Sequence, residues 1–320
     1  MNENRVQQFI RSNPYQEALF RESNYWGTEI ERALEQGIPF SVDMRNAERI
    51  WVQRGDILPQ QQFYDPKAEW IMNGTVYKRL FDEIDRLGTP QRILHLACGG
   101  GGLSLEMARH GHYVTGIDIS EKAITIAKKF AQKNGHQNGF GHLDYRIEDL
   151  NAIELPAQNW DIVIGWNGFH HILYLERLMK QIKKALVPGG KLVYSENIGS
   201  YWSNHLIGGM IYFFLPTFLT FRQKLSFAFL GSDKVKENMK ERSPFEHVHS
   251  DSILSLTRKF FRIQDIYYHN ALDYRSSIVG DNKLPDNIRY PFIRFLRDID
   301  SFLLKYHLLK PDHALVIATV

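Results

Sequence analysis

The sequence of 320 residues contains a single cysteine, Cys98, which excludes an internal disulfide framework and a zinc cluster built from cysteines. It also lacks an excess of either charge, because 39 basic residues nearly balance 36 acidic ones and leave a formal net charge of +3. That balance argues against nucleic acid or an anionic membrane as the default partner. No apolar run follows the first residues, so we expect no secretory signal and a cytoplasmic protein.

Long hydrophobic runs are scarce as well. Residues 206–221 form a mostly apolar run of sixteen residues without a charge, whereas a membrane-spanning helix needs about 20. It is also interrupted by two glycines and Pro216. We therefore expect short buried or interfacial helices that form a lid. Contact with a membrane surface through residues 206–230 is an alternative that we do not expect.

The pattern of hydrophobic and polar residues changes near residue 90. Residues 1–88 are mixed polar and aromatic with helical stretches, and we interpret them as an N-terminal helical lid. Residues 89–200 alternate between strand and helix patterns, which predicts an open α/β sheet with parallel crossovers. We interpret residues 201–246 as an apolar helical insertion. Residues 247–320 then complete the sheet, with a helical excursion over 273–311.

A glycine-rich turn carries the strongest signal. Residues 93–103 run from an apolar strand through four glycines, Gly99 among them, into a helix, so the backbone can approach a ligand closely. Asp118 follows the next strand, where an open α/β fold places a carboxylate that accepts hydrogen bonds from ribose. Ser104 breaks the dinucleotide fingerprint, and no P-loop lysine follows the glycines. An adenosyl cofactor fits this turn better, because it has no phosphates that the turn must bind. Asp149 could face the amine of its adenine.

These elements, in this order, resemble the class I S-adenosylmethionine-dependent methyltransferases over roughly residues 90–200. The family's acid-x-Gly-x-Gly-x-Gly motif reads His95-x-Ala97-x-Gly99-x-Gly101 here. The resemblance implies a Rossmann-like open sheet, mostly parallel with an antiparallel last strand, and S-adenosylmethionine as cofactor. It also implies a set of cofactor-binding residues: Cys98, Gly99 and Gly101 in the turn, Asp118 at the ribose, and Ile119, Asp149 and Leu150 around the adenine.

Candidate residues for the acceptor lie after the fourth and fifth strands, which face the same crevice. Methyl transfer to a hydroxyl needs alignment of the acceptor and removal of its proton, usually by a histidine or a carboxylate. We predict His170, His171 and Glu196 as catalytic residues, with the carboxylate orienting a histidine base. The resemblance supports this choice, because many small-molecule members carry such a His-His pair and an acid at the next strand. We predict that Trp166 and Asn167 contact the substrate.

Another polar cluster, residues 243–249, follows the insertion and supplies Glu246 and His247 as further substrate contacts. A metal site made by His247, His249 and Glu246 is an open alternative, but we expect no metal. The turn after the fourth strand lacks the two prolines found in enzymes that methylate nucleic-acid amines, which argues against DNA bases as substrates.

The predicted activity is methyl transfer from S-adenosylmethionine to a small molecule, at a hydroxyl of a sugar or a secondary metabolite. A lipid-like acceptor, such as a quinone or polyprenyl compound, is the alternative suggested by residues 206–230. A non-catalytic module that only binds the cofactor, and a nicotinamide oxidoreductase, are further alternatives. The sequence does not determine the oligomeric state.

Overall fold

The computed structural model describes residues 8–35, 66–88, 90–135, 139–199, 204, 207, 242–246, 248–272 and 285–320. In these ranges seven strands form one sheet. The strands are β1 Arg92–Leu96, β2 Tyr113–Asp118, β3 His142–Ile147, β4 Trp160–Trp166, β5 Leu186–Asn197, β6 Arg262–His269 and β7 His313–Thr319.

The sheet has the order β3-β2-β1-β4-β5-β7-β6. The chain adds β2 and β3 on one side of β1 and then crosses to the other side of β1 to add β4. β3, β2, β1, β4 and β5 are parallel neighbours, whereas β7 lies antiparallel to both β5 and β6. β1 and β4 are buried over almost their whole length, as expected for strands covered on both faces. The predicted fold, a mostly parallel open sheet with an antiparallel last strand, is confirmed.

Helices cover the sheet on both sides. They are α1 Asn13–Glu35, α2 Pro66–Asp85, α3 Gly102–Arg109, α4 Glu121–Asn134, α5 Leu175–Ala185, α6 Ile253–Phe260 and α7 Asp286–Lys305, with a 3-10 turn at Phe169–His171. Ser120 caps α4, because its hydroxyl accepts a hydrogen bond from the Ala123 amide at 3.4 Å.

The hydrophobic core lies on the two faces of the sheet. On one face, Leu80 and Ile84 of α2 pack among strand residues such as Ile93. On the other face, Leu178 and Ile182 of α5 pack against Val163. Each of these side chains is fully buried or nearly so, and burying one stabilises the fold by about 1.5–3 kcal/mol. Helix α2 is therefore a covering layer of the sheet, although it falls within the segment predicted as a lid.

Helix α1 packs along α4. The two helices lie close together at Gly27, where an added Cβ would lie 2.5 Å from the Ser120 hydroxyl and 2.9 Å from Lys122 Cβ. Only a residue without a side chain allows the two helices to lie this close. Gly27 therefore determines how closely α1 packs on α4. From this position α1 reaches the carboxyl ends of the strands.

Some predictions concern residues outside the described ranges. Of the predicted insertion 201–246, the description covers Asn204, Ile207 and residues 242–246, and so it omits nearly all of 206–230. The predicted excursion over 273–311 is described from residue 285 onward, where it contains α7. Among the helices that are described, none is long and apolar enough to span a bilayer. The proposed division of the chain into four segments stays a prediction.

Candidate active site

The site begins at the turn that follows β1. The Gly99 amide donates a hydrogen bond of 2.8 Å to Asp118 Oδ2, and the Ser120 amide donates one of 2.9 Å to Oδ1. Burial raises the pKa of Asp118, while these backbone hydrogen bonds oppose that rise. Each carboxylate oxygen has a second lone pair. Asp118 is thus held at the carboxyl end of β2 as an acceptor for hydroxyl groups.

Gly99 and Gly101 of this turn differ in what lies beside them. At Gly101, with φ of +80°, an added Cβ would lie 2.4 Å from the Tyr145 hydroxyl oxygen, which also donates to the Gly101 carbonyl at 2.8 Å. At Gly99, with φ of +53°, a Cβ would meet only Ile30 Cδ1, at 3.8 Å. Tyr145 therefore occupies the space beside Gly101, whereas the space beside Gly99 has room for a ligand.

Cys98 shapes the turn from inside. Its side chain is buried beside Ile124 and Tyr145, and burial raises the pKa of its thiol. Its amide donates to the Ile117 carbonyl, and its carbonyl accepts from the Gly101 amide, both at 3.0 Å. The backbone of Cys98 therefore helps to hold the turn after β1 in place.

His95, which stands where the family motif has an acid, is a buried neutral residue. Its Nδ1 shares a hydrogen bond of 2.7 Å with the Ser104 hydroxyl. Burial lowers the pKa of His95 to about 3. The ring therefore carries no charge at neutral pH and pins the first turn of α3 to β1.

The predicted adenine end is covered by α1. The Tyr15 hydroxyl donates a hydrogen bond of 2.7 Å to Asp149 Oδ2, while the Asn151 amide donates one of 2.9 Å to Oδ1. The Ser23 hydroxyl donates to the Ile119 carbonyl at 3.2 Å. Leu150 is buried in the core, and Ile119 is half-buried. Asp149 and Ile119 are thus both in contact with α1.

The predicted catalytic residues come together at the ends of β4 and β5. Glu196 is fully buried, and its Oε1 accepts hydrogen bonds of 2.7 Å from the amides of Gly168 and Phe169. Its Oε2 lies 2.7 Å from His170 Nδ1. An added Cβ at Gly168 would lie 2.4 Å from Ala97 Cβ, so this turn abuts the glycine turn. The His170–Glu196 pair therefore lies beside the predicted cofactor site.

The charge of His170 follows from its surroundings. Burial alone would lower its pKa, but the neighbouring carboxylates of Glu196 and Glu246 outweigh burial and raise the pKa to about 9. Its Nε2 lies 3.6 Å from Glu246 Oε1. The pair of carboxylates thus creates a position that favours a cation.

His171 lies in the same cluster. Its Nδ1 is 2.8 Å from Glu22 Oε1, close enough for an ion pair but without the alignment of a hydrogen bond. Its Nε2 is 3.6 Å from Glu246 Oε2. The Ser243 hydroxyl contacts both Glu22 oxygens, at 2.8 and 2.9 Å, and Trp26 donates its indole N–H to Glu22 at 3.0 Å. Glu22 joins α1 to the turn at residues 242–246.

Sequence reasoning missed Tyr15, Glu22 and Trp26. All three lie on α1, at i, i+7 and i+11, which places them on one side of a helix. Tyr15 and Glu22 are buried, whereas the residues next to them in the chain are exposed or half-buried. Chemistry-bearing side chains recurring at this spacing were the signal available in the sequence.

The remaining predicted residues are distributed as follows. Trp166 is half-buried and stacks on Tyr77 of α2, with ring centroids 5.0 Å apart. Asn167 is exposed with φ of +50°, and its amide donates to the Ser195 carbonyl at 2.9 Å. His247 lies outside the described residues. Both ring nitrogens of His249 lie within hydrogen-bond distance of other groups, the Ser252 hydroxyl and the Leu173 carbonyl, each at 3.0 Å. The alternative metal site that includes His249 stays a prediction.

Comparison with known proteins defines the class. Residues 94–194 match the family model of the methyltransferase domain. This segment contains β1 to β4 and most of β5, hence the glycine turn, Asp118 and the His170 turn. Together with the sheet order, the match identifies a class I S-adenosylmethionine-dependent methyltransferase domain; S-adenosylmethionine is the methyl donor of that class.

Curated relatives match a part of the chain. The "Ubiquinone biosynthesis O-methyltransferase" of Coxiella burnetii is 33% identical over 139 residues, which is 42% of this chain and 56% of the relative. The protein of that name from Idiomarina loihiensis is 32% identical over 152 residues, 47% of this chain and 56% of the relative. The matches thus span about half the length of these relatives.

Among solved structures, an S-adenosylmethionine dependent methyltransferase from Mesorhizobium loti has a TM-score of 0.46 at 19% identity, covering 79% of this chain and 98% of that one. The class assignment rests on the family match and the strand order rather than on this likeness.

Proposed function

We propose that this protein transfers a methyl group from S-adenosylmethionine to a hydroxyl of a small-molecule acceptor. The observation that carries the proposal is the His170–Glu196 pair, buried at the ends of β4 and β5 next to the glycine turn and Asp118. Bound S-adenosylmethionine supplies an activated methyl group on a sulfonium with a good leaving group.

In this proposal the cofactor-binding residues have the roles that the family resemblance implies. Asp118 and the Gly99 turn hold the ribose and the methionine part of the cofactor, while Asp149, Ile119 and Leu150 surround the adenine. Glu196 fixes the tautomer and orientation of His170 through Nδ1, so that Nε2 is directed toward Glu246 and the acceptor side.

The reaction itself demands little covalent chemistry of the protein. The acceptor oxygen forms a bond to the methyl carbon, the carbon–sulfur bond breaks, and its electron pair stays on sulfur. The hydroxyl proton passes to Nε2 of His170 in its neutral form. Because the two carboxylates raise the His170 pKa to about 9, the neutral form, and with it turnover, should increase as the pH rises toward 9. The main task of the protein is to align the acceptor with the methyl group and to keep water out.

Of the acceptors considered, the names of the relatives favour the quinone type over a sugar. We propose a hydroxyl on a quinone-related ring as the first acceptor to test. The half-buried Trp166 stacked on Tyr77 places aromatic surface near the end of β4 and supports a planar acceptor.

The test is turnover of S-adenosylmethionine with a panel of hydroxylated rings and sugars. We expect His170→Gln and Glu196→Gln each to lower kcat by about 10²–10⁴ while the affinity for S-adenosylhomocysteine stays within a few-fold of wild type. His142→Gln, an exposed histidine on β3, is the matched control and should keep full activity. Undiminished turnover in both site variants would contradict the catalytic role of the pair.

A further inference from the structure

We infer that His170, His171 and Glu246 form a binding site for a first-row divalent cation of the zinc type. The nitrogen and oxygen ligand atoms of these three residues lie within 4.8 Å of one another. Two imidazoles and one carboxylate are a donor set that suits zinc, and three protein ligands leave a fourth position open. This site differs from the sequence-based expectation of no metal.

The distances around Glu246 match those across a metal ion. His170 Nε2 lies 3.6 Å from one carboxylate oxygen of Glu246, and His171 Nε2 lies 3.6 Å from the other. That separation is too long for a good hydrogen bond. Two ligand atoms about 2.0–2.1 Å from a tetrahedral zinc ion are about 3.3 Å apart. A small closing movement of the three side chains would therefore enclose an ion.

Both histidines also have a carboxylate on the far side of the ring. Glu196 Oε2 is 2.7 Å from His170 Nδ1, and Glu22 Oε1 is 2.8 Å from His171 Nδ1. Histidines that bind metals commonly donate their second N–H to a carboxylate, which fixes the tautomer and directs the other nitrogen to the metal. The His170–Glu196 contact has this geometry, whereas Glu22 contacts His171 at ion-pair distance without hydrogen-bond alignment. In both residues Nε2 is the nitrogen near Glu246.

Electrostatics favours a cation at this point. When a metal ion takes the place of the proton on His170, the three carboxylates Glu22, Glu196 and Glu246 bring a formal charge of −3 into a region where Glu22 and Glu196 are almost completely buried. Burying charge without compensation is costly. A divalent ion between the two imidazoles offsets two of these charges.

The role of the ion rests on the proposed function, whereas its binding does not. One lone pair on His170 Nε2 accepts either a proton or the metal ion. In the metal-free protein it is the proton acceptor described above. In the loaded protein the acceptor oxygen occupies the open position, its proton passes to water, and the ion lowers the pKa of the bound hydroxyl.

The test uses the chelator-treated full chain titrated with Co²⁺, followed by visible absorption, and with Zn²⁺, followed by calorimetry. We expect one equivalent of each to bind, and Mg²⁺ to bind far more weakly. His171→Asn and Glu246→Gln should weaken Co²⁺ binding at least tenfold. Glu196→Gln, which removes only the carboxylate behind His170, should weaken it by about 10- to 100-fold.

His142→Asn is the control that should leave Co²⁺ binding unchanged, because His142 is exposed on β3. The same samples are titrated with S-adenosylhomocysteine, which checks their folding and separates the two proposals. Binding of S-adenosylhomocysteine without stoichiometric Co²⁺ or Zn²⁺ binding would overturn the metal site and leave the proposed function standing. Metal binding that survives both His171→Asn and Glu246→Gln would overturn the assignment of ligands.

Discussion

At the scale of single residues, His95 shows how a departure from a motif is accommodated. An acid in its place would bury a charge in β1, whereas the neutral imidazole with its hydrogen bond to Ser104 needs no counter-ion. The replacement therefore preserves the turn beside the cofactor without requiring a charge. It does have a consequence for stability in acid.

We predict that His95 makes the fold acid-sensitive. Its pKa is about 3 in the folded protein and about 6.5 in the unfolded chain. Below about pH 6.5 the unfolded chain binds a proton on His95 that the folded protein does not bind. The free energy of unfolding is therefore highest above pH 6.5 and falls as the pH decreases from 6.5 toward 3. At pH 5 the loss is about 2 kcal/mol relative to pH 7.5.

Urea unfolding at pH 7.5 and at pH 5 measures this effect. His95→Asn, which cannot be protonated, should show a loss between the two pH values smaller than wild type by about 2 kcal/mol. The exposed control His142→Asn should match wild type. An unchanged pH dependence in His95→Asn would mean that His95 is not buried as a neutral group.

At the scale of elements, α1 accounts for most of what the sequence did not reveal. It extends over Asn13–Glu35, within the segment whose sequence is mixed polar and aromatic. The face of α1 that packs on the protein carries polar and aromatic side chains instead of a row of aliphatic ones. Because the helical pattern is recognised by the periodicity of hydrophobic residues, it does not detect such a face. The contacts of Tyr15 and Glu22, separated from Asp149 and Ser243 by more than a hundred residues, could not be read from spacing.

Strand β5 shows a second limit of local patterns. Pro188, Gly189 and Gly190 are residues typical of turns, but β5 extends over Leu186–Asn197 and contains them. The register with β4 shifts between Trp160 and Ile162, which accommodates the irregular backbone there. By contrast, the glycine turn, Asp118 and the His170 turn were located correctly, because strand alternation places strand ends without knowledge of distant contacts.

We predict that Gly27→Ala displaces α1 from its packing position on α4 and lowers the free energy of unfolding. Replacing a helix glycine with alanine normally stabilises a helix by about 0.5–1 kcal/mol. Here the new Cβ would lie 2.5 Å from the Ser120 hydroxyl, and overpacking of this kind typically costs about 1–3 kcal/mol. The sign of the change in the free energy of unfolding therefore reports whether α1 packs on α4.

Urea unfolding and titration with S-adenosylhomocysteine give the two readouts. The Gly27→Ala variant should be less stable than wild type and should bind the product more weakly, because Tyr15 and Ser23 lose their positions over Asp149 and Ile119. Glu17→Ala, at an exposed position of α1, is the control and should change neither quantity. A Gly27→Ala protein more stable than wild type would show that α1 does not pack there.

At the scale of the whole molecule, the strand order explains why distant segments meet at one site. The reversal between β1 and β4 creates a crevice at the carboxyl ends, where the turns after β1, β2, β4 and β5 face one another. Helix α1 and the turn at residues 242–246 then approach the same crevice through Glu22 and Ser243. The cofactor end and the acceptor end thus share one covering helix.

The central claim is that this crevice binds the cofactor of methyl transfer through Asp118. The most direct measurement is a calorimetric titration of wild type, Asp118→Ala and the exposed control Asp144→Ala with S-adenosylhomocysteine, NAD and NADP. We predict saturable binding of S-adenosylhomocysteine alone. Asp118→Ala should weaken it by about 10- to 150-fold, since a lost charge-assisted hydrogen-bond partner costs about 1.5–3 kcal/mol, while Asp144→Ala should bind like wild type. A wild-type protein that does not bind S-adenosylhomocysteine, or that prefers a dinucleotide, would contradict the account.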